Sequence, residues 1–237
     1  MSEHKKTVLI TGAAGGLGRA LVKTFDGAGW HVIAACRKAD GTFPDSVREI
    51  EMDVTEDDSV RAGIDDQWKA LGGIDCIINN AAIIRDQLSM KMTISDWDSV
   101  MDVCLKGVWR VSRSGLRLMM KQRRGLIVNV SSFSALVGHV GQANYAAAKA
   151  GLIGLTQSMA REGGPRNVRA NVVIPGLMET RMLGDLTGER KAELLGQNVI
   201  KIMSDPKQVA HFIEGLTGLD QVSGQVFNLD SRIIPWT

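Results

Sequence analysis

The chain contains a single tyrosine, Tyr145, with Lys149 four residues after it and Ser132 thirteen residues before it. On a helix, residues i and i+4 share a face, so helical sequence here sets an ammonium beside a phenol. A neighbouring cation favours the phenolate and predicts a pKa below the ordinary value of about 10, toward the range where a proton exchanges readily near neutrality. A serine hydroxyl delivered by the preceding loop can hydrogen-bond the same substrate oxygen. Together the three groups suit proton transfer at a carbonyl or an alcohol. By itself, a Tyr-x-x-x-Lys pattern more often marks a packed tyrosine and a solvated lysine, so the surrounding elements decide its meaning.

The first of those elements is a short β-branched run, Thr7 to Ile10, ending in Thr11-Gly12-Ala13-Ala14-Gly15-Gly16-Leu17-Gly18 and an amphipathic helix to about Phe25. Strand, glycine turn and helix N-terminus make an anion site, because glycines let the backbone approach a pyrophosphate and the free N–H groups face it. Alone, such a turn is either a phosphate cradle or a plain tight connection. A second strand, His31 to Cys36, ends at Arg37-Lys38. An acidic residue here would bind ribose hydroxyls, whereas an arginine accommodates a 2′-phosphate. Arg37 stands there and no carboxylate does, which points to NADP(H) unless Arg37 is only a solvated loop charge.

Further strands are expected at Arg48 to Met52, closed by Asp53-Val54, and at Ile74 to Ile78, running into Asn79-Asn80-Ala81-Ala82. The continuous apolar character of the latter fits a parallel sheet covered on both faces, where ligands sit outside the carboxyl ends of the strands. Helices are expected at Glu56 to Leu71 and, as one long element, at Trp97 to Gln122. Leu126 to Val130 delivers Ser131 and Ser132, a helix from Ala146 to Arg161 carries Lys149, and Val168 to Ile174 closes at Pro175-Gly176. Asp205-Pro206 starts a helix, and Gln225 to Leu229 supplies the last strand.

With 237 residues, 44% of them hydrophobic, and no run that spans a bilayer, a single soluble domain is expected. The near-balance of 28 basic and 26 acidic side chains leaves no nucleic-acid or membrane footprint. Cys36, Cys76 and Cys104 are an odd set without metal spacing, as in a reducing compartment, and the charged N-terminus does not read as a signal peptide. His4, His31, His139 and His211 lie far apart without metal-site spacing and are expected on the surface or in loops.

TGAAGGLG, the Asp53-Val54 pair, NNAA, a serine thirteen residues before YxxxK, and PGLMET at Pro175 to Thr180 are, in order, motifs of the short-chain dehydrogenase/reductase family, which the whole chain resembles. IIRDQLSMKM and GQANYAAAKAGLIGLTQSMARE resemble its 3-oxoacyl-carrier-protein reductase branch. The resemblance implies an α/β, doubly wound Rossmann fold of residues 1–237 as one domain, with a single seven-stranded parallel sheet, helices on both faces and a substrate lid at about 178–205. It implies that Ser132 orients a carbonyl, that Tyr145 is the general acid, and that Lys149 lowers the phenol's pKa and holds the nicotinamide ribose. Gly12, Gly16, Leu17 and Gly18 would cradle pyrophosphate, Asp53 and Val54 would contact adenine, and Asn80 and Ala81 would line the cofactor. Pro175, Met178 and Thr180 would flank its nicotinamide end.

The implied reaction is NADPH-dependent reduction of a 3-oxoacyl thioester in the cytoplasm by a homotetramer, with no metal. The carrier protein would dock through Arg123 and Arg166. An acetoacetyl-CoA reductase, a dehydrogenase of a cyclic alcohol, steroid or sugar, and a weakly catalytic cofactor-binding scaffold or sensor are the competing readings. The chain departs from the pattern in four places. Cys104 replaces an asparagine that shapes a helix kink in a proton relay, Ala82 replaces a glycine, Gly15 a basic residue, and NVIKIM at Asn198 to Met203 a proline-and-arginine segment. The intervening lid, Leu183 to Gln197, offers Leu183, Leu186, Leu194 and Leu195 as an apolar face for an acyl chain or for simple packing.

Overall fold

The computed structural model of the chain describes residues 5–179 and 188–234. Strand β1 (Thr7–Thr11) leads into α1 (Gly16–Gly27), then β2 (His31–Cys36), β3 (Val47–Glu51), α2 (Asp57–Leu71) and β4 (Cys76–Asn79). After α3 (Ile94–Met101), a π-helical turn at Asp102–Gly107 and α4 (Val108–Gln122) come β5 (Gly125–Val130), the short α5 (Ser134–Val137) and α6 (Ala143–Gly163). A 3₁₀ turn at Gly164–Arg166, β6 (Val168–Ile174), α7 (Gly188–Gly196), α8 (Pro206–Leu216) and β7 (Val226–Asn228) complete it.

The seven strands form one sheet in the order β3-β2-β1-β4-β5-β6-β7, every neighbouring pair parallel. Alternate strand residues feed two cores. Val8, Ile10, Val32, Ala34, Ile78 and Val128 pack under α1 and α8, while Leu9, Ile33, Ala35, Ile77, Ile127 and Ala170 pack under α2, α4 and α6. Full burial of such side chains stabilises by about 1.5–3 kcal/mol each, which is why both faces of the central strands read as uninterrupted apolar runs. The expected doubly wound fold is therefore the one observed.

Chain order reverses direction across the sheet between β1 and β4, and the crevice beyond their carboxyl ends is the place where such sheets bind ligands. Thr11 and Asn80 tie these ends together. The Thr11 hydroxyl accepts from the backbone N–H groups of Asn80 at 3.0 Å and Ala81 at 3.1 Å, and the Asn80 amide donates to the carbonyls of Thr11 and Gly12.

Several boundaries differ from the sequence reading. The long helix expected over Trp97 to Gln122 starts earlier, at Ile94, and runs without a gap through α3, the π-turn and α4, and the helix carrying Lys149 begins three residues earlier than expected, at Ala143. His31 opens β2, as the strand reading has it, and like His139 is half-buried; His211 is exposed on α8, and His4 lies outside the described residues. Helix α8 starts as read: Asp205 caps it, accepting from the Lys207 N–H at 2.9 Å. Of the expected lid face, Leu183 and Leu186 lie outside the described residues, Leu194 is buried and Leu195 is half-buried. Among the described residues no helix is long and apolar enough to cross a membrane, and no cluster of His, Cys, Asp or Glu could hold a metal ion.

Candidate active site

At the carboxyl end of β5 the chain turns through Ser131 and Ser132 into α5. The Ser131 hydroxyl donates to the Lys149 carbonyl at 2.9 Å, fastening the strand end to α6. Ser132 is held by a chain of polar groups: its oxygen accepts from the Ser134 N–H at 3.2 Å and its hydroxyl lies 3.3 Å from that of Ser134. The Ser134 hydroxyl donates to Gln142 Oε1 at 2.9 Å, and Gln142 Nε2 donates to Asp86 at 2.9 Å. Asn144, fully buried, secures the start of α6 by donating to the carbonyls of Arg85 and Asp96 and accepting from the Tyr145 N–H at 2.7 Å.

Tyr145 and Lys149 are thereby brought together, the lysine Nζ lying 5.7 Å from the centre of the phenol ring. The electrostatics differ from the simple i, i+4 expectation. Tyr145 packs among Val100, Cys104 and Ala148, and burial pushes its phenol well above the ordinary value, a neighbouring hydrogen bond with Ser132 opposing this only in part. Lys149 is equally buried, donates to the Val130 carbonyl at 2.7 Å, and has its pKa lowered by desolvation. The expected lowering of the phenol pKa is thus corrected: desolvation raises it, and what opposes the rise is the Ser132 hydrogen bond.

Because Tyr145 is the chain's only tyrosine, ultraviolet titration of phenolate reads this group alone. We expect its midpoint above the unfolded value of about 10. A group whose folded pKa is raised contributes stability that is complete below its unfolded pKa and is lost as pH rises through the folded value. Thermal unfolding followed upward from pH ~10 should therefore show a decline that Tyr145→Phe lessens. Phenolate appearing below about pH 9 would contradict the assignment.

The glycine turn has the shape of a phosphate cradle. Gly12 sits at φ +62°, where a side chain is strained, and a Cβ there would lie 2.8 Å from the Ala81 Cα. A Cβ on Gly18 would meet the Gly12 carbonyl oxygen at 2.3 Å. Helix α1 has no side-chain cap at Gly15, so the first-turn N–H groups of Gly16, Leu17 and Gly18 are available to an anion. Asp53 is half-buried, its carboxyl held below the usual range by the N–H and hydroxyl of Thr55 and, more weakly, by the charges of Arg37 and Arg110. Val54 lines the same end, and its carbonyl accepts from Arg110 at 3.3 Å. Arg37 is exposed at the end of β2. These residues fit a nicotinamide dinucleotide laid across the carboxyl ends of β1, β2 and β4.

Beyond Tyr145 lies a cavity of about 280 Å³ lined by Ser132, Ile84, Leu177, Met178, Leu194 and Arg232, among others. Pro175 is buried at its rim and Met178 is half-buried. Thr180 lies outside the described residues.

The sequence profile of the short chain dehydrogenase family matches residues 6–191. The chain belongs to that family. It is 38% identical to the 3-oxoacyl-[acyl-carrier-protein] reductase FabG of Vibrio cholerae, over 89% of this chain and 88% of the relative. It is 38% identical to the protein of the same name from Thermotoga maritima, over 97% and 98%, and 35% identical to that of Escherichia coli, over 90% of each. As a short chain dehydrogenase the protein is an oxidoreductase acting on CH–OH groups with a nicotinamide cofactor.

In this dehydrogenase the helix carries a π-turn where cysteine stands in place of the asparagine. Cys104 is fully buried in the π-turn, and its sulfur lies 3.4 Å from both the N–H and the carbonyl oxygen of Ile83, accepting from one and donating to the other. Arg110 braces the same turn, donating to Asp102 at 2.9 Å while pairing with Asp57 at 3.2 Å. Ser134, Gln142, Asp86 and Arg232 were not singled out from sequence. GQANY precedes YAAAK directly, so the sequence did place Gln142 near Tyr145; nothing local pairs it with Asp86, 56 residues away.

Proposed function

We propose that this dehydrogenase reduces a 3-oxoacyl thioester to the 3-hydroxyacyl form, using NADPH. The observation that carries the reading is geometric: Ser132 and Tyr145 line one cavity with Lys149 beside the phenol ring, and burial, which raises the phenol's pKa, agrees with a proton donor there. A proton donor must be protonated at working pH. The bound cofactor supplies the hydride to the carbonyl carbon. The chain's residues do the rest: Ser132 donates a hydrogen bond to the ketone oxygen, Tyr145 transfers its proton to that oxygen as the new C–H bond forms, and Lys149 steadies the nicotinamide ribose. Gly12, Gly16, Leu17 and Gly18 hold the pyrophosphate, Asp53 and Val54 the adenine, Asn80 and Ala81 the middle of the cofactor, and Pro175, Met178 and Thr180 its nicotinamide end. Arg37, standing at the end of β2 where an acidic residue would bind ribose hydroxyls, favours the 2′-phosphate of NADPH.

A carrier-bound substrate and a homotetramer belong to the same reading. The relatives' shared name is that of a carrier-protein reductase. Arg123 and Arg166 are exposed two residues before β5 and β6, at the amino edge of the sheet. Ser132 and Pro175 stand at the opposite, carboxyl edge. The six residues of β5 span about 20 Å at ~3.3 Å each, so the proposed docking arginines and the pocket of the same subunit lie at opposite ends of the strand.

The test is NADPH oxidation with an acetoacetyl group presented on carrier protein and on CoA. Arg123→Glu with Arg166→Glu is expected to raise KM for the carrier-bound substrate, more so at low salt, with turnover of the CoA thioester kept. Equal losses on both substrates, or none on either, would remove the carrier-protein reading. NADH consumed as efficiently as NADPH would remove the assignment of Arg37, and no oxidation with either thioester would overturn the proposed reaction.

A further inference from the structure

Arg232 is the only lysine or arginine lining the cavity beside Tyr145 among the described residues. It is buried in a short turn after β7, with 6% of its side chain exposed. Its guanidinium carbon lies over the ring of Phe133, the residue next to Ser132, at 3.7 Å from the ring centre. One edge of the guanidinium is taken by Asp230, whose side chain is fully buried: Nε donates to both carboxylate oxygens at 3.0 Å, and Nη2 donates to one of them. The Arg232 N–H also donates to Asp230, at 2.9 Å. A guanidinium has five N–H donors in a rigid fork. With one edge on Asp230 and one face on Phe133, the Nη1 end of the fork remains for a ligand, and the residue that holds it lines the cavity.

The charge balance decides what that ligand is. Asp230 already neutralises Arg232, and a second buried carboxylate would leave one uncompensated negative charge in a low-dielectric site, which is costly. An uncharged oxygen acceptor uses the spare donors without that cost. We propose that Arg232 is a specificity-determining residue that donates a hydrogen bond to a second, uncharged carbonyl oxygen of the substrate, so that the pocket selects 1,3-dicarbonyl compounds over simple ketones and over free 3-oxo acids. This deepens the reading of the substrate as a 3-oxoacyl thioester, whose thioester carbonyl is that second oxygen, and rests on it. The stack on Phe133 also ties the selecting group to the loop that carries Ser132, so the two carbonyls are held relative to one another.

The experiment compares ethyl acetoacetate, a linear methyl ketone of the same length, and free acetoacetate as substrates of the full-length protein. Wild type should favour the ester over both others. Removing Arg232 alone strands the buried Asp230 charge, so the variant is Arg232→Met combined with Asp230→Asn, with Arg232→Lys beside it. The ratio of kcat/KM for ester over simple ketone should fall about ten- to a hundredfold in the double variant, the range for a hydrogen bond to a charged group, and be partly restored in Arg232→Lys. An unchanged ratio in a folded, active double variant would overturn the role of Arg232 while leaving the proposed reaction standing. A wild-type preference for free acetoacetate that the variant loses would show an anion site instead. Wild type that reduces the simple ketone but not the ester would overturn the 3-oxoacyl reading and this inference together.

Discussion

Replacing Tyr145 with phenylalanine is expected to lower turnover by about 10²–10⁴-fold, the usual contribution of a positioned general acid, while the protein still folds. The substitution removes one oxygen and its proton. The backbone N–H that Asn144 holds at 2.7 Å is untouched, and the ring keeps its contacts with Val100, Cys104 and Ala148. The hydrogen bond that the phenol shares is with the Ser132 side chain, so its loss leaves the backbone hydrogen bonds in place. Steady-state kinetics with circular dichroism on the same samples provide the check. A variant that kept more than a tenth of the wild-type rate would take Tyr145 out of the chemistry.

Gly18→Ala should cost both stability and cofactor affinity. Its Cβ would come within 2.3 Å of the Gly12 carbonyl oxygen and 2.6 Å of that of Ala13. Both obstacles are main chain at the heart of the turn, so neither can swing aside as a side chain does. Overpacking of this kind costs about 1–3 kcal/mol, which for a chain of this size lowers Tm by about 2–12 °C. The displaced turn is also the proposed pyrophosphate cradle, so we expect nicotinamide dinucleotide affinity to fall by at least about tenfold, read by quenching of intrinsic fluorescence. Gly154→Ala in α6, where a Cβ meets nothing within 4 Å, is the control expected to leave affinity alone. Parallel behaviour of the two variants would show that the turn tolerates a side chain and that its glycines do not shape a binding surface.

The alternation of apolar strands, glycine turn and amphipathic helices was legible because each is a local pattern: β1 and the Gly12–Gly18 turn can be read from one short stretch. The partners of Ser132 were not, because Ser134, Gln142 and Asp86 form a hydrogen-bonded chain only after α6 has folded back over the loop at Asp86. The π-turn within the long helix escaped for a different reason. Val100, Cys104, Val108 and Val111 are all buried and recur at helical spacing straight through the π-turn, so periodicity shows no interruption. The phenol's pKa was misjudged because i, i+4 spacing reports the neighbour on the same helix but not the enclosure supplied by other elements. Spacing placed Lys149 near the ring, yet its ammonium is engaged by the Val130 carbonyl. Arg232 had no signal at all, lying 87 residues past Tyr145 in a segment without a motif.

Arg110 makes the far ends of the proposed cofactor groove a single mechanical part. One of its nitrogens holds both the Val54 carbonyl, in the segment proposed to face adenine, and Asp102, the first residue of the π-turn. Two residues further along that turn, Cys104 packs against Tyr145, and Gly107 sits so close to Val54 that a Cβ would lie 2.9 Å from its methyl group. Strain introduced at the proposed adenine contact is therefore expected to reach Tyr145, the proposed proton donor, without crossing the sheet. A substitution at Arg110 should consequently alter cofactor affinity and the phenolate titration together, in a fixed proportion that separate lesions at the two ends would not reproduce.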